Sequence, residues 1–359
     1  MTQNLSVSRG WVVVGMILLI ACTGWAQSAS VSVFAQGLNN PRGLKFGPDG
    51  NLYVAEGGTG GTLSTVGLCT QVPEVGPYTG GFTGRISKIG ADGKVTTVVD
   101  NLPSSQTIAS QGSLVSGVAD VAFVGNTLYA ILAGAGCSHG LAGTDNGVLR
   151  VNTDGSTTMI ADLSVFQKRH PVKNPELADF EPDGTWYSMI AVNGVLYAVE
   201  PNHGELDSIT TAGIISRISD ISSIQGHIVP TAIAYNGTNF LVGNLDTFPI
   251  RDGSSKIMNI TPAGSITTVN IDLTIIVGMA YDSSGRLYVL ENTTGNQFPT
   301  PGTGKILRIN GKHSYSEIAK GLSLPTAMTF GPDGNIYVSN NGFGFPAGQG
   351  QIVKITPPK

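Results

Sequence analysis

Charge is scarce in this sequence. Charged side chains make up 12% of its 359 residues, about half the share usual in a soluble domain. Neither sign dominates, since 20 Lys+Arg stand against 24 Asp+Glu, a formal net charge of −4. With no basic excess and no basic stripe, the chain is not expected to bind nucleic acid. Cysteine is scarcer still, with 3 in the whole chain, too few for a disulfide-built mini-protein. Helix-period patterning is nearly absent; one short turn is expected over Asp162–Lys168. No His-Glu-x-x-His, Cys-x-x-Cys, Gly-x-Ser-x-Gly or Walker loop occurs, which removes the usual signatures of metalloproteases, thiol redox enzymes, α/β-hydrolases and P-loop NTPases. The Gly342–Ala347 stretch has dinucleotide-fingerprint spacing, but Pro346 and the lack of a following helical pattern make it a loop. Glycine, by contrast, is plentiful at 49 residues, nearly twice the average share, and apolar residues at 41% argue against disorder. Many tight turns with few charges point to an all-β chain.

The N-terminus reads as an export signal. Arg9 is followed by an apolar run from Trp11 to Ala21 and then by small residues, with cleavage expected after Ser28. The run is too short to span a bilayer and has the length of a signal-peptide core. Residues 1–28 are therefore assigned to the signal and 29–359 to the folded domain, placed extracytoplasmically. Leu19-Ile20-Ala21-Cys22 has the form of a bacterial lipoprotein box. Lipidation of Cys22 would add a membrane anchor; otherwise Cys22 leaves with the peptide. Either way Cys69 and Cys137 remain, an even pair in an oxidising compartment, and a disulfide is expected. The alternative is two free buried thiols.

One two-stranded pattern recurs six times. Pro41-Arg-Gly-Leu-Lys-Phe, the turn Gly47-Pro-Asp-Gly50 and Leu52-Tyr-Val form the first copy. Others begin at Val118, Tyr187, Pro230, Ile276 and Pro325, with anchoring aromatics at Tyr53, Tyr129, Tyr197, Phe240, Tyr288 and Tyr337. A second strand pair follows in each unit, starting at Gly84, Gly147, Ile214 or earlier, Lys256 and Gly304. Four strands in roughly 55 residues make a propeller blade with long loops. The sixth copy ends after its third strand, Gly350–Ile355, while Val31–Leu38 resembles the fourth strands elsewhere. The expected fold is thus a six-bladed β-propeller of four-stranded blades, with the N-terminal strand completing the last blade and closing the ring.

Lettering the strands A to D outward from the axis, the A–B turns are short and alike, whereas the B–C connections are long. Gly57–Phe82, Ala133–Asn146, Asn244–Gly253, Asn292–Thr303 and Asn341–Ala347 all fall on one face. Cys69 and Cys137 lie in the first two of these, in adjacent blades. Loops of this length are usually functional or disordered. Three residues after the anchoring Tyr stand Glu56, Glu200, Glu291 and Asn340; Asn244 is one step further on, and the second copy has Leu132. These five are expected at the channel mouth on the B–C face, near Arg42 and Asp120. Oxygen donors without a nearby Lys suit a divalent cation such as calcium; the alternative is a polar, solvated channel lining. His203 reads as a turn residue before Gly204.

Leu38–Gly57, the Cys-bearing loop with Tyr78-Thr-Gly-Gly, Val229-Pro-Thr-Ala, Leu241–Pro249 and Leu287–Asn292 are similar to the ScyD/ScyE family. The resemblance covers essentially the whole mature chain. It implies an exported, NHL-repeat-like, TolB-type propeller. The family is named from gene clusters for a cyanobacterial sunscreen pigment, and no molecular activity is implied. The chain departs from the family pattern in blade three, where Asp183–Ser188 reads Asp-Gly-Thr-Trp-Tyr-Ser.

Two functions follow from these residues. The first is a non-enzymatic binding module that holds a protein or small-molecule ligand on its B–C face. The alternative is a metal-dependent hydrolase of gluconolactonase type using the channel-mouth acids. A quinone-dependent sugar dehydrogenase ranks below both, having no identified base.

Overall fold

The computed structural model describes residues 1–2 and 29–358; residues 3–28, which hold the core of the expected export signal and Cys22, lie outside the described residues. The described chain forms six antiparallel sheets, each starting at the axis with an A strand. Blade one runs Pro41–Phe46, Leu52–Glu56, Thr79–Ile89 and Val95–Gln106, and adds a short fifth strand, Val115–Ser116. The A strands of blades two to six are Val118–Val124, Ser188–Val192, Pro230–Tyr235, Ile276–Tyr281 and Ala327–Phe330. In blade six the third strand, Gly350–Thr356, pairs with Ser30–Leu38 in register from Ser30↔Thr356 to Leu38↔Gly350. The ring closes as expected.

The repeated text explains the repeated shape. Asp49 organises its turn by accepting the Asn51 N–H at 3.1 Å and the Tyr53 hydroxyl at 3.0 Å. Gly50 supplies the positive φ of 77° that closes it. Asp333, Asn335 and Tyr337 repeat this arrangement in blade six. The anchored ring then meets the next blade edge-on. Tyr53 packs on Phe123, Tyr288 on Phe330 and Tyr337 on Phe46, each at a centroid distance of 5.0 Å. The core is accordingly a set of apolar wedges between neighbouring blades rather than a single centre.

Two boundaries differ from expectation, and a third, expected at Ile214 or earlier, is fixed. In blade three the third strand is Glu205–Thr210, and Ile215–Asp220 is the fourth. Only the turn at Pro201–Gly204 separates its B and C strands, so the C strand begins earlier than in the other blades. In blade one the C strand starts at Thr79, which shortens the B–C connection to 57–78. The short helix is Leu163–Arg169, capped by Asp162, whose carboxylate accepts the Val165 N–H at 2.8 Å. Among the described residues no helix is long and apolar enough to cross a membrane.

Candidate functional site

The five oxygen-bearing residues at the B-strand ends occupy equivalent places, and each turns toward its own blade. Each binds the backbone of the segment that enters the A strand. Glu56 accepts the Asn39 N–H at 2.6 Å, Glu200 the Thr185 N–H at 2.9 Å, Glu291 the Thr274 N–H at 2.7 Å and Asn340 the Ser323 N–H at 2.8 Å. Asn244 donates its amide to the Ile228 carbonyl at 2.9 Å. The expectation of no neighbouring cation is corrected. Glu56 lies opposite Arg85 and Glu291 opposite Lys305 across the B–C strand pair, and both are ion-paired, at 2.6 and 3.2 Å. Among the described residues no three His, Cys, Asp or Glu side chains group closely enough to hold a metal ion. The three acids of the set, Glu56, Glu200 and Glu291, therefore form no such group.

Blade three lacks the cation. Glu200 lies opposite Glu205, and Arg217 pairs with Glu205 instead. Burial, then the Glu205 charge, pushes the Glu200 carboxyl up to about 8. Asp207, fully buried on the same strand as Glu205, has no hydrogen-bond partner on either oxygen. Burial and then Glu205 hold its pKa well above the usual carboxylate range. His203 sits in the adjoining turn, stacked on Phe180, with its Nε2 2.9 Å from the Glu181 carbonyl oxygen.

These shifts carry a pH signature. A carboxyl with a raised folded pKa binds its proton more tightly in the folded state. Its contribution is complete below the unfolded pKa and is lost as pH rises through the folded value. Glu200, Asp207 and Asp120, the last raised to about 7, all act in this direction. His203, whose pKa burial lowers, acts against them. The melting temperature is expected to fall by roughly 5 °C between pH 5 and pH 9. Asp207→Asn, uncharged and of equal size, should recover part of that loss at pH 9. A flat profile would mean that these carboxyls are ionised throughout.

Arg42, Asp120 and Tyr187 come together in the channel at the B–C end. Tyr187 of blade three reaches across the axis and donates its hydroxyl to the Thr326 carbonyl of blade six at 3.0 Å. Burial, then the balance of the Arg42 and Asp120 charges, holds this phenol at about 12. Arg42 donates to the Val115 carbonyl and lies 5.8 Å from the Phe343 ring centre. Asp120 accepts the Val121 and Met189 N–H groups, both at 2.8 Å. A side chain at Gly43 would place Cβ 1.8 Å from the Asp120 carboxylate, so blade one requires glycine where blade six carries Ala327.

The B–C face is held from beneath. Cys69 and Cys137 form the expected disulfide, with a Cα–Cα distance of 6.3 Å. Beside it, His139 Nδ1 lies 2.9 Å from Ser105 Oγ, and His139 Nε2 lies 3.2 Å from Glu181. Tyr78 donates to Glu181 at 2.9 Å. The residue types match a nucleophile–base–acid set, but Ser105 and His139 are 0% exposed, which shuts out any substrate. The network ties the B–C loops of blades one and two to the entry of blade three. Sequence reading missed it because its members lie far apart in the chain. Above this base the loops expose Leu63, Val66 and Leu68, the last 72% accessible. Phe248 and Phe298, from the B–C loops of blades four and five, stack in the open at 5.9 Å with an interplanar angle of 7°.

No protein-family model matches the chain, and no curated protein matches it by sequence. Solved structures match its fold. A gluconolactonase from Xanthomonas campestris is 9% identical with a TM-score of 0.56, covering 92% of this chain and 90% of its own. The PQQ-bound aldose sugar dehydrogenase of Streptomyces coelicolor is 13% identical with a TM-score of 0.53, covering 92% and 98%. Virginiamycin B lyase from Staphylococcus aureus is 14% identical with a TM-score of 0.50, covering 92% and 99%. Three different activities on one scaffold establish the fold and leave the activity to the site.

Proposed function

We propose that this chain is an extracytoplasmic binding module that captures a protein partner through its B–C loop face. The observation that carries this reading is the pairing of rigid support with exposed apolar side chains. A disulfide and a buried polar network fix the loops, and those loops present Leu63, Val66, Leu68 and the Phe248–Phe298 stack to solvent. Exposed apolar groups on preorganised loops are what a protein interface uses, because little ordering entropy remains to be lost on binding. The export signal, the disulfide and the resemblance to ScyD/ScyE propellers support the compartment.

The gluconolactonase-type alternative has the fold in its favour. Against it, a cation at the B-strand ends would have to displace the hydrogen bonds and ion pairs that occupy Glu56 and Glu291.

Leu68→Asp combined with Phe298→Asp alters only exposed side chains and should leave the melting temperature within 2 °C of the parent. Cross-linking in the envelope of the source cell should yield a defined adduct with the parent chain and lose it in the double variant. An adduct retained by both chains, or none with either, would overturn the proposal.

A further inference from the structure

At the opposite end of the channel the A strands surround a cavity of about 570 Å³. Its walls are the last residues of the A strands of blades one, three, four, five and six. Each A strand is the inner edge of its sheet, so its axis-facing row of N–H and C=O groups has no ladder partner. The wall thus combines backbone donors and acceptors with mostly apolar and aromatic residues, among them Ile190, Tyr235, Met279, Tyr281 and Phe330, and has Asn193 at its rim. One charged residue lines it, Lys45. Among the described residues Lys45 belongs to no ion pair, as holds for most of the described Lys and Arg side chains. Further up the channel Arg42 likewise has no acid partner among the described residues. Asp120, the acid whose charge reaches Lys45, is already held by two backbone N–H groups.

We propose that this cavity binds a small hydroxylated organic carboxylate, with its carboxylate on Lys45 and its hydroxyls on the free strand edges. The volume lies in the range of small-molecule sites, about 300–1,000 Å³. A lining with one cation and no acid selects an anion. The free strand-edge groups select a body that carries hydroxyls over a wholly apolar one, which would leave those groups desolvated and unpaired. The site lies on the far face from the proposed protein-binding loops and stands or falls separately from them.

Isothermal titration with D-galactonate and galactitol separates the two parts of this recognition. The two probes share their carbon count and differ at the head group. Galactonate is expected to bind at least tenfold more tightly than galactitol. Lys45→Met should abolish that preference without changing galactitol binding, and Lys45→Arg should retain it. Leu68→Asp should leave both affinities unchanged. Lys45 is exposed, and circular dichroism checks that each variant is folded. Equal binding of the two probes, binding of neither, or an unchanged galactonate affinity in Lys45→Met would overturn the assignment.

Discussion

A chain lacking residues 30–38 is expected to lose its cooperative thermal transition and to aggregate. That strand is the outermost member of blade six and continues directly into blade one, so it joins the last blade to the first. Removing it takes Leu38 and Ala35, which are 0% and 4% exposed, out of the core and takes Phe34 from the Tyr337 ring 5.1 Å away. Truncating a buried Leu alone costs about 2–5 kcal/mol, and here the ladder hydrogen bonds go with it. The greater loss is topological. Gly350–Thr356 becomes a free edge carrying Ile352, Val353 and Ile355, a template for pairing with another chain. Circular dichroism melting and size-exclusion chromatography give the measurement. Val31→Thr is the control, since Val31 is exposed on the same strand. A truncated chain that melts cooperatively as a monomer within a few degrees of the parent would show that the ring holds without its closure.

That closure was legible because propeller periodicity is a strong constraint. A sixth copy short of its fourth strand, together with an unassigned strand at the other end, admits one arrangement that leaves no open edge. The Asp-Gly turns were legible for a local reason, since Asp49 and Asp333 bond within four residues of themselves. The candidate site was less so. The positions of Glu56, Glu200, Asn244, Glu291 and Asn340 at the B-strand ends could be read from spacing. The direction of their side chains could not, because it depends on the residue opposite in the next strand. The signal was present in Arg85 and Lys305, each directly after a C-strand glycine, Gly84 and Gly304, and register was needed to use it. The His139–Glu181 contact and the Tyr187 bridge to Thr326 join separate blades. No local pattern marks such contacts, and they emerge only when the ring is closed.

Replacing Cys69 and Cys137 by Ser together is expected to lower stability by about 2–4 kcal/mol. The bridge spans a sequence separation of 68 residues. Opening a loop of that length returns conformational entropy to the unfolded chain on the scale of about 4 kcal/mol. Part of this is offset in the folded state because the loop has other ties. Leu63 pairs with Gly80, and the Thr65 hydroxyl donates to the Cys137 carbonyl. The blades should therefore persist while the melting temperature falls by roughly 3–6 °C. The effect on binding should exceed the effect on stability. Leu63, Val66 and Leu68 lie on the segment that the bridge fixes, so its loss makes the partner bear the cost of ordering them. Cross-linking at a temperature well below both transitions separates the two effects. A variant that melts lower but captures its partner as well as the parent would place the binding surface on the loops of blades four and five instead. If the melting temperature does not change on reduction or replacement, the hydrogen bonds alone position the loop, and the bridge contributes nothing to the preorganisation on which the proposed interface depends.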